Sequence, residues 1–125
     1  MKFISTPDAP TPAGHYSQAV RHNGLIYISG QLSIDPASGQ VENGPIEAQT
    51  RLILKNFDNL LRASGSDKEH VLKVTIYISN IELWGAVNEV YSEFFGKHKP
   101  ARAVVPVNEL HFGCLLELEA VAAEL

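Results

Sequence analysis

The chain has 125 residues, 45% of them hydrophobic and 19% charged, with a formal net charge of −4. That balance gives a globular chain enough apolar surface for a core and excludes intrinsic disorder, which goes with fewer apolar residues and more net charge. The acidic excess repels phosphate backbones, so no nucleic-acid partner is expected.

No stretch approaches the ~20 apolar residues of a membrane span, so no membrane partner is expected. Met1 to Ser5 lack the long apolar run of a secretory signal. Cys114, the single cysteine, has no internal disulfide partner, which leads us to expect a reducing, cytoplasmic setting. No repeat, low-complexity tract or composition break divides residues 1–125, and one domain is expected.

In chain order, Phe3-Ile4 reads as a short first strand. Residues 6–15 hold Pro7, Pro10 and Pro12, each lacking a backbone donor, and predict an extended loop. Tyr16 to Val20 predicts a strand. Asn23-Gly24 predicts a tight hairpin, because both residues tolerate positive φ. Leu25 to Ile28 predicts the returning strand, ended by Ser29-Gly30-Gln31. Asp35-Pro36 and Ser38-Gly39 mark a further turn.

After Gly44-Pro45, Ile46, Ile53, Phe57, Leu60 and Leu61 recur at helical spacing, and Gly65 marks the stop. Val71 to Ile78 predicts a strand with Leu72, Val74, Ile76 and Ile78 on one face and Lys73 and Thr75 on the other. Asn80 is a candidate N-cap for a second helix. Trp84, Val87, Tyr91, Phe94 and Phe95 form its apolar side, and Gly96 ends it. Lys97-His98-Lys99, the only basic run, reads as a solvated helix end. Ala101 to Val107 and Cys114 to Val121 are two more strands.

The expected class is therefore α+β, in the order β-β-β-α-β-α-β-β, with a mixed sheet and two helices on one face. The other face then needs solvent or a second subunit.

The five histidines and Cys114 show no metal-motif spacing, and no phosphate loop or nucleophile elbow is present. Arg102, in an apolar strand, must be paired. Its fork suits either an internal carboxylate or that of a ligand. In the ligand-free protein, water, Glu117 or a captured anion is its expected partner. Glu117 and Glu119 alternate with Leu116 and Leu118, so both carboxylates share one face. That face is either a solvated exterior or a place where one carboxylate orients water. Ser29-Gly30 is either a turn or a hydroxyl and N–H offered to an anion, and Tyr16 and Asn88 are equally open.

Together these positions resemble the RidA/YjgF family. The resemblance rests on Pro100-Ala101-Arg102, then Leu110, then Leu116-Glu117-Leu118, with the family's separation of arginine from glutamate. Pro12 to Ala19, containing Tyr16, resembles a second motif. Ile28-Ser29-Gly30-Gln31 and Val87-Asn88-Glu89-Val90-Tyr91 resemble two more.

The resemblance implies a chorismate-mutase-like fold in a homotrimer, whose sheets form a central β-barrel with the helices outside. It implies hydrolysis of 2-aminoacrylate and related imino acids to 2-keto acids and ammonia, with no metal or organic cofactor. Arg102 would clamp the substrate carboxylate, and Glu117 would position water or move a proton. Tyr16, Ser29, Gly30, Asn88 and Val104 would complete a substrate cleft between subunits. A trimer that binds keto or amino acids without turnover is the alternative, and a translation-inhibiting endoribonuclease the third. Two departures stand out. Val104 occupies a position that is often cysteine in the family, and Leu110-His111-Phe112-Gly113 replaces a Leu-Pro.

Overall fold

The computed structural model describes residues 1–125. In chain order they form β1 (Lys2–Ile4), β2 (Ala19–His22), β3 (Leu25–Gln31), α1 (Ile46–Ala63), β4 (Val71–Ile78), α2 (Trp84–Phe95), β5 (Ala101–Pro106) and β6 (Leu116–Ala123). The order of strands and helices is the one expected. The strands make one mixed sheet, β1-β2-β3-β6-β4-β5, parallel only between β4 and β5. No helix is long and apolar enough to cross a membrane.

Local chemistry explains most boundaries. Asn23 and Gly24 both have positive φ, 51° and 80°, as the tight turn joining β2 to β3 requires. The α1 helix starts after Pro45, which lacks a donor where none is needed, and carries Glu47 in its first turn and Arg62 in its last. Gly65, at φ 86°, lets the chain leave it.

The two helices pack on each other and on one sheet face. Ile53, Phe57, Leu60 and Leu61 of α1 are fully buried against Val74, Ile76 and Ile78 of β4 and Leu116 and Leu118 of β6. Each such side chain contributes roughly 1.5–3 kcal/mol. The opposite face carries Tyr27, Thr75, Tyr77, Glu117 and Glu119, and no helix covers it. Tyr27 is 48% exposed there.

Several expectations need correction. The β2 strand begins at Ala19 rather than Tyr16, because the preceding loop is bound by a side chain instead of a ladder. Gln18 accepts from the Thr6 N–H at 2.7 Å and donates to the carbonyls of Thr6, Ala9 and Pro10. Leu72 does not share the core face of β4. A register shift between Val71 and Lys73 turns Val71 inward and leaves Leu72 exposed.

Asn80 caps a short 3-10 turn, Ile81–Leu83, ahead of α2 rather than α2 itself. His98 is not simply solvated: its Nε2 lies 2.8 Å from the Val71 carbonyl and its ring packs near Phe95. Cys114 precedes β6, which begins at Leu116.

Candidate functional site

The β3 strand does not stop at Ile28 but runs on through Ser29-Gly30 to Gln31. Across β6, Ile28 pairs with Ala120 and Gln31 with Leu118, so three steps on β3 match two on β6 and the chain bulges at Ser29-Gly30. The bulge is held from both sides. The Ser29 N–H donates to the Gln18 carbonyl at 3.0 Å and its hydroxyl to the Ser17 carbonyl at 2.6 Å. Gln31 donates its side-chain amide back to the Ser29 carbonyl at 3.0 Å.

Gly30 leaves room for the Glu117 carboxylate to sit where it does. A Cβ at this position would overlap Oε2 of Glu117, whose carboxylate lies directly on the glycine backbone. A cavity of about 390 Å³ opens here, with Tyr16, Ser29, Gly30, His111, Phe112 and Glu117 among the residues that line it. The Tyr16 hydroxyl accepts from the Ala13 N–H at 3.3 Å.

Burial pushes the Glu117 carboxyl above the usual carboxylate range, with the charge of Glu119 adding to the effect and His111 opposing it. Glu119, on the same face, accepts a hydrogen bond from Tyr77, whose own hydroxyl is raised chiefly by that bond.

Arg102 lies in a second cavity, of about 370 Å³, with Asn88, Tyr91 and Lys99. Its partner is neither an internal carboxylate nor Glu117. The chain's ion pairs are Arg21–Glu124, Arg62–Asp58 and His70–Asp67, and Arg102 is in none of them. One guanidinium nitrogen, Nη1, donates to Oδ1 of Asn88 at 3.0 Å. The guanidinium carbon sits 4.5 Å from the ring centre of Trp84 and 4.6 Å from that of Tyr91.

Two aromatic faces and a neutral amide thus satisfy the charge on an edge strand without neutralising it. The Tyr91 hydroxyl is buried without a hydrogen-bond partner, and burial pushes it up to about 12 against the pull of Arg102. It therefore stays protonated near neutral pH. Val104 shares the helix-side face with Arg102, where it packs on the core, and it lines neither cavity.

Six of the seven expected residues therefore fall into two groups. Tyr16, Ser29, Gly30 and Glu117 line one cavity, and Asn88 and Arg102 line the other. Arg102 pairs with Val74, and Val74 with Ala120, both of which face the helices, whereas Glu117 alternates with the core residues Leu116 and Leu118. The arginine and the glutamate project from opposite faces of one sheet and do not meet within a subunit.

The family model described as Endoribonuclease L-PSP matches residues 6–124. The chain belongs to the RidA/YjgF family. It is 43% identical over 121 residues to a RutC family protein of Pyrococcus horikoshii, covering 97% of this chain and 96% of that protein. It is 42% identical over 123 residues to the human 2-iminobutanoate/2-iminopropanoate deaminase, covering 98% and 90%. A solved Rid-family protein of Yersinia pestis superposes with a TM-score of 0.95 at 41% identity, covering 98% of each chain. Names among these RidA/YjgF relatives thus range from endoribonuclease to imine deaminase.

The sequence reading placed Trp84 and Tyr91 in an apolar helix face. Their spacing with Asn88, at i, i+4 and i+7, was the available signal that all three share one side of α2. The same reading carried Gln18 and Gln31 inside its motifs without giving either a role, yet they hold the loop and the bulge. Their roles depend on contacts with carbonyl groups that no side-chain pattern encodes.

Proposed function

We propose that this chain forms a homotrimer with a central β-barrel, in which the Glu117 cavity of one subunit meets the Arg102 cavity of the next. We further propose that the joined site hydrolyses small imino acids to 2-keto acids and ammonia. One observation carries this reading. Arg102 keeps its charge between two aromatic rings with no carboxylate partner, while a half-buried carboxylate stands on the opposite sheet face. A trimer would also cover the sheet face that the helices leave bare, and the human relative's name supports the reaction.

The chemistry asks for little beyond placement. Arg102 takes the substrate carboxylate through the guanidinium donors that Asn88 leaves free. Ser29 and the Gly30 N–H contact the substrate, with Tyr16 and Asn88 shaping the cleft, while Val104 stays outside it on the core side of β5. The imine carbon is already electrophilic. Water adds to it while the Glu117 carboxylate accepts one water proton and passes it to nitrogen, giving a carbinolamine; the carboxylate then carries the hydroxyl proton to the same nitrogen as the carbon–nitrogen bond breaks, leaving ketone and ammonia. The burial that raises Glu117 makes its carboxylate a stronger base. No metal or organic cofactor takes part. A reducing, cytoplasmic setting fits the lone buried Cys114.

The test is ammonia release from freshly generated 2-iminopropanoate, first by the wild type and then by subunit mixing. Arg102→Ala and Glu117→Gln should each be nearly inactive as pure trimers. Random reassortment of the two restores about one intact site in four, because each interface takes one group from each neighbour. A mixture as inactive as its components would show that the two residues do not share a site between subunits.

A trimer that binds keto or amino acids without turnover is a second reading. It is favoured by the Arg102 cavity, which is complete as a carboxylate receptor without Glu117. Failure to release ammonia, with pyruvate binding preserved, would select it. The net charge of −4 disfavours an endoribonuclease.

A further inference from the structure

We propose that Tyr77 decides which of two neighbouring carboxylates serves as the base: by hydrogen-bonding Glu119 it leaves Glu117 free to take the proton from water. The inference rests on the deaminase reading above and makes Tyr77 a positioning residue for the same site.

Glu117 and Glu119 are next-but-one neighbours on β6 and project from the same sheet face. Their Cα atoms therefore stand about 7 Å apart. By chemistry alone the two carboxylates are equivalent, and either could accept a proton. The sheet makes them different. Tyr77 of β4 pairs with Glu117 in the ladder to β6, and Thr75 pairs with Glu119. The Tyr77 hydroxyl nevertheless donates to Oε1 of Glu119, its diagonal neighbour. Diagonal positions on antiparallel strands lie within reach of an aromatic side chain. The Glu117 carboxylate turns the other way, onto Gly30 of β3. One carboxylate is thus tied to β4, and the other lies over β3.

That divergence suits a division of labour. A carboxylate that accepts a hydrogen bond from a phenol is a poorer acceptor of a proton than one without it. The Tyr77 hydroxyl is held above the usual phenol range, chiefly by this bond, so it keeps its proton and remains a donor near neutral pH. Glu117 is pushed up by burial, with the charge of Glu119 adding to the effect and His111 opposing it, and no hydrogen bond contributes. Lys73 and Tyr27 line a recess with Glu119 on the same sheet face. In the joined site proposed above, Arg102 of the next subunit faces Glu117 as well. Within this set, Tyr77 is the group that tells the two carboxylates apart by direct contact. The contact and the strand register behind it lie within one chain, so they do not depend on what covers the face.

The experiment records kcat/KM against pH for ammonia release from 2-iminopropanoate, above the uncatalysed rate, in the wild type, Tyr77→Phe, Glu119→Gln and the double variant. Ionisation of Glu117 shapes the acid limb of the profile, and the substrate's own ionisation is common to all four proteins. Once Tyr77 lacks its hydroxyl, Glu119 shares the first proton with Glu117. Tyr77→Phe should therefore move the acid limb to lower pH by about half a pH unit, roughly threefold in kcat/KM on that limb. Glu119→Gln removes the neighbouring charge and should move the limb the same way. In the Glu119→Gln background, Tyr77→Phe should add no further shift, because it acts through Glu119. An acid limb that Tyr77→Phe leaves in place while the imine is still hydrolysed overturns the inference, whatever the variant does to the thermal midpoint. So does a Tyr77→Phe shift that survives in the Glu119→Gln background. Both results leave the deaminase reading standing. Absence of ammonia release by the wild type, or full activity of Glu117→Gln, overturns that reading, and the choice between carboxylates falls with it.

Discussion

The two halves of the candidate site solve opposite problems with different materials. Around Arg102, a positive charge is kept available by neutral neighbours: two aromatic faces and one amide oxygen, all from one side of α2. Around Glu117, a negative charge is made uncomfortable by burial over a backbone bulge that has no side chain at Gly30. One half is built from side chains and the other largely from main chain. The first should fail when its own side chain is removed. The second should fail when a single atom is added to its neighbour.

The sharpest way to break the comparison is at Arg102. Arg102→Ala should lower kcat/KM for imine hydrolysis on the order of a hundredfold or more, given ~1.4 kcal/mol per tenfold and two charge-assisted bonds at stake. Arg102→Lys should recover little, since an ammonium neither forks onto a carboxylate nor stacks between rings as a planar guanidinium does. Near-normal hydrolysis by a folded Arg102→Ala would reduce the arginine to a structural role.

On the other side, Gly30→Ala removes no catalytic side chain but displaces the Glu117 carboxylate. Steady-state kinetics should show kcat falling about tenfold or more while binding of pyruvate to the Arg102 half, followed by calorimetry, is retained.

The smallest expected effect is on stability. Burial raises the Glu117 carboxyl in the folded chain, so the folded state binds that proton more tightly than the unfolded state does. The resulting contribution is present below the unfolded value and is lost as pH rises through the folded one. At pH 7 the ionised group is therefore a liability. Glu117→Gln should raise the thermal midpoint by about a few degrees at most at pH 7, with the gain shrinking as pH falls toward ~4.

How much of this could be read from the sequence depended on whether the signal was local. Asn23-Gly24 announced its turn because positive φ at adjacent residues restricts which residues fit. The helical spacing of Ile53, Phe57, Leu60 and Leu61 announced α1 because burial on one face demands it. Leu72 was misplaced because the register shift between Val71 and Lys73 reverses the inside-outside assignment of Val71 and Leu72 while Val74, Ile76 and Ile78 keep theirs. The Ser29-Gly30 bulge was read as a strand end, since the pairing that carries the strand onward comes from β6, distant in sequence. Arg102 and Glu117 were legible as charges needing company. That they occupy opposite faces emerged only once β4 stood between β5 and β6.

The place of β6 has a kinetic consequence. It is the last strand in chain order, yet it lies between β3 and β4 and joins the sheet's two halves. Until it inserts, β3 of the β1-β2-β3 meander and β4 of the β4-α2-β5 unit each present an open edge, and no other strand can bridge them. Its pairings reach from Ala123 back to Leu25 and from Leu116 to Ile78. Loops of that span are entropically costly to close and slow to form. Folding should therefore wait on one late event, and Glu117, carried by that strand, reaches Gly30 in the same step that closes the sheet.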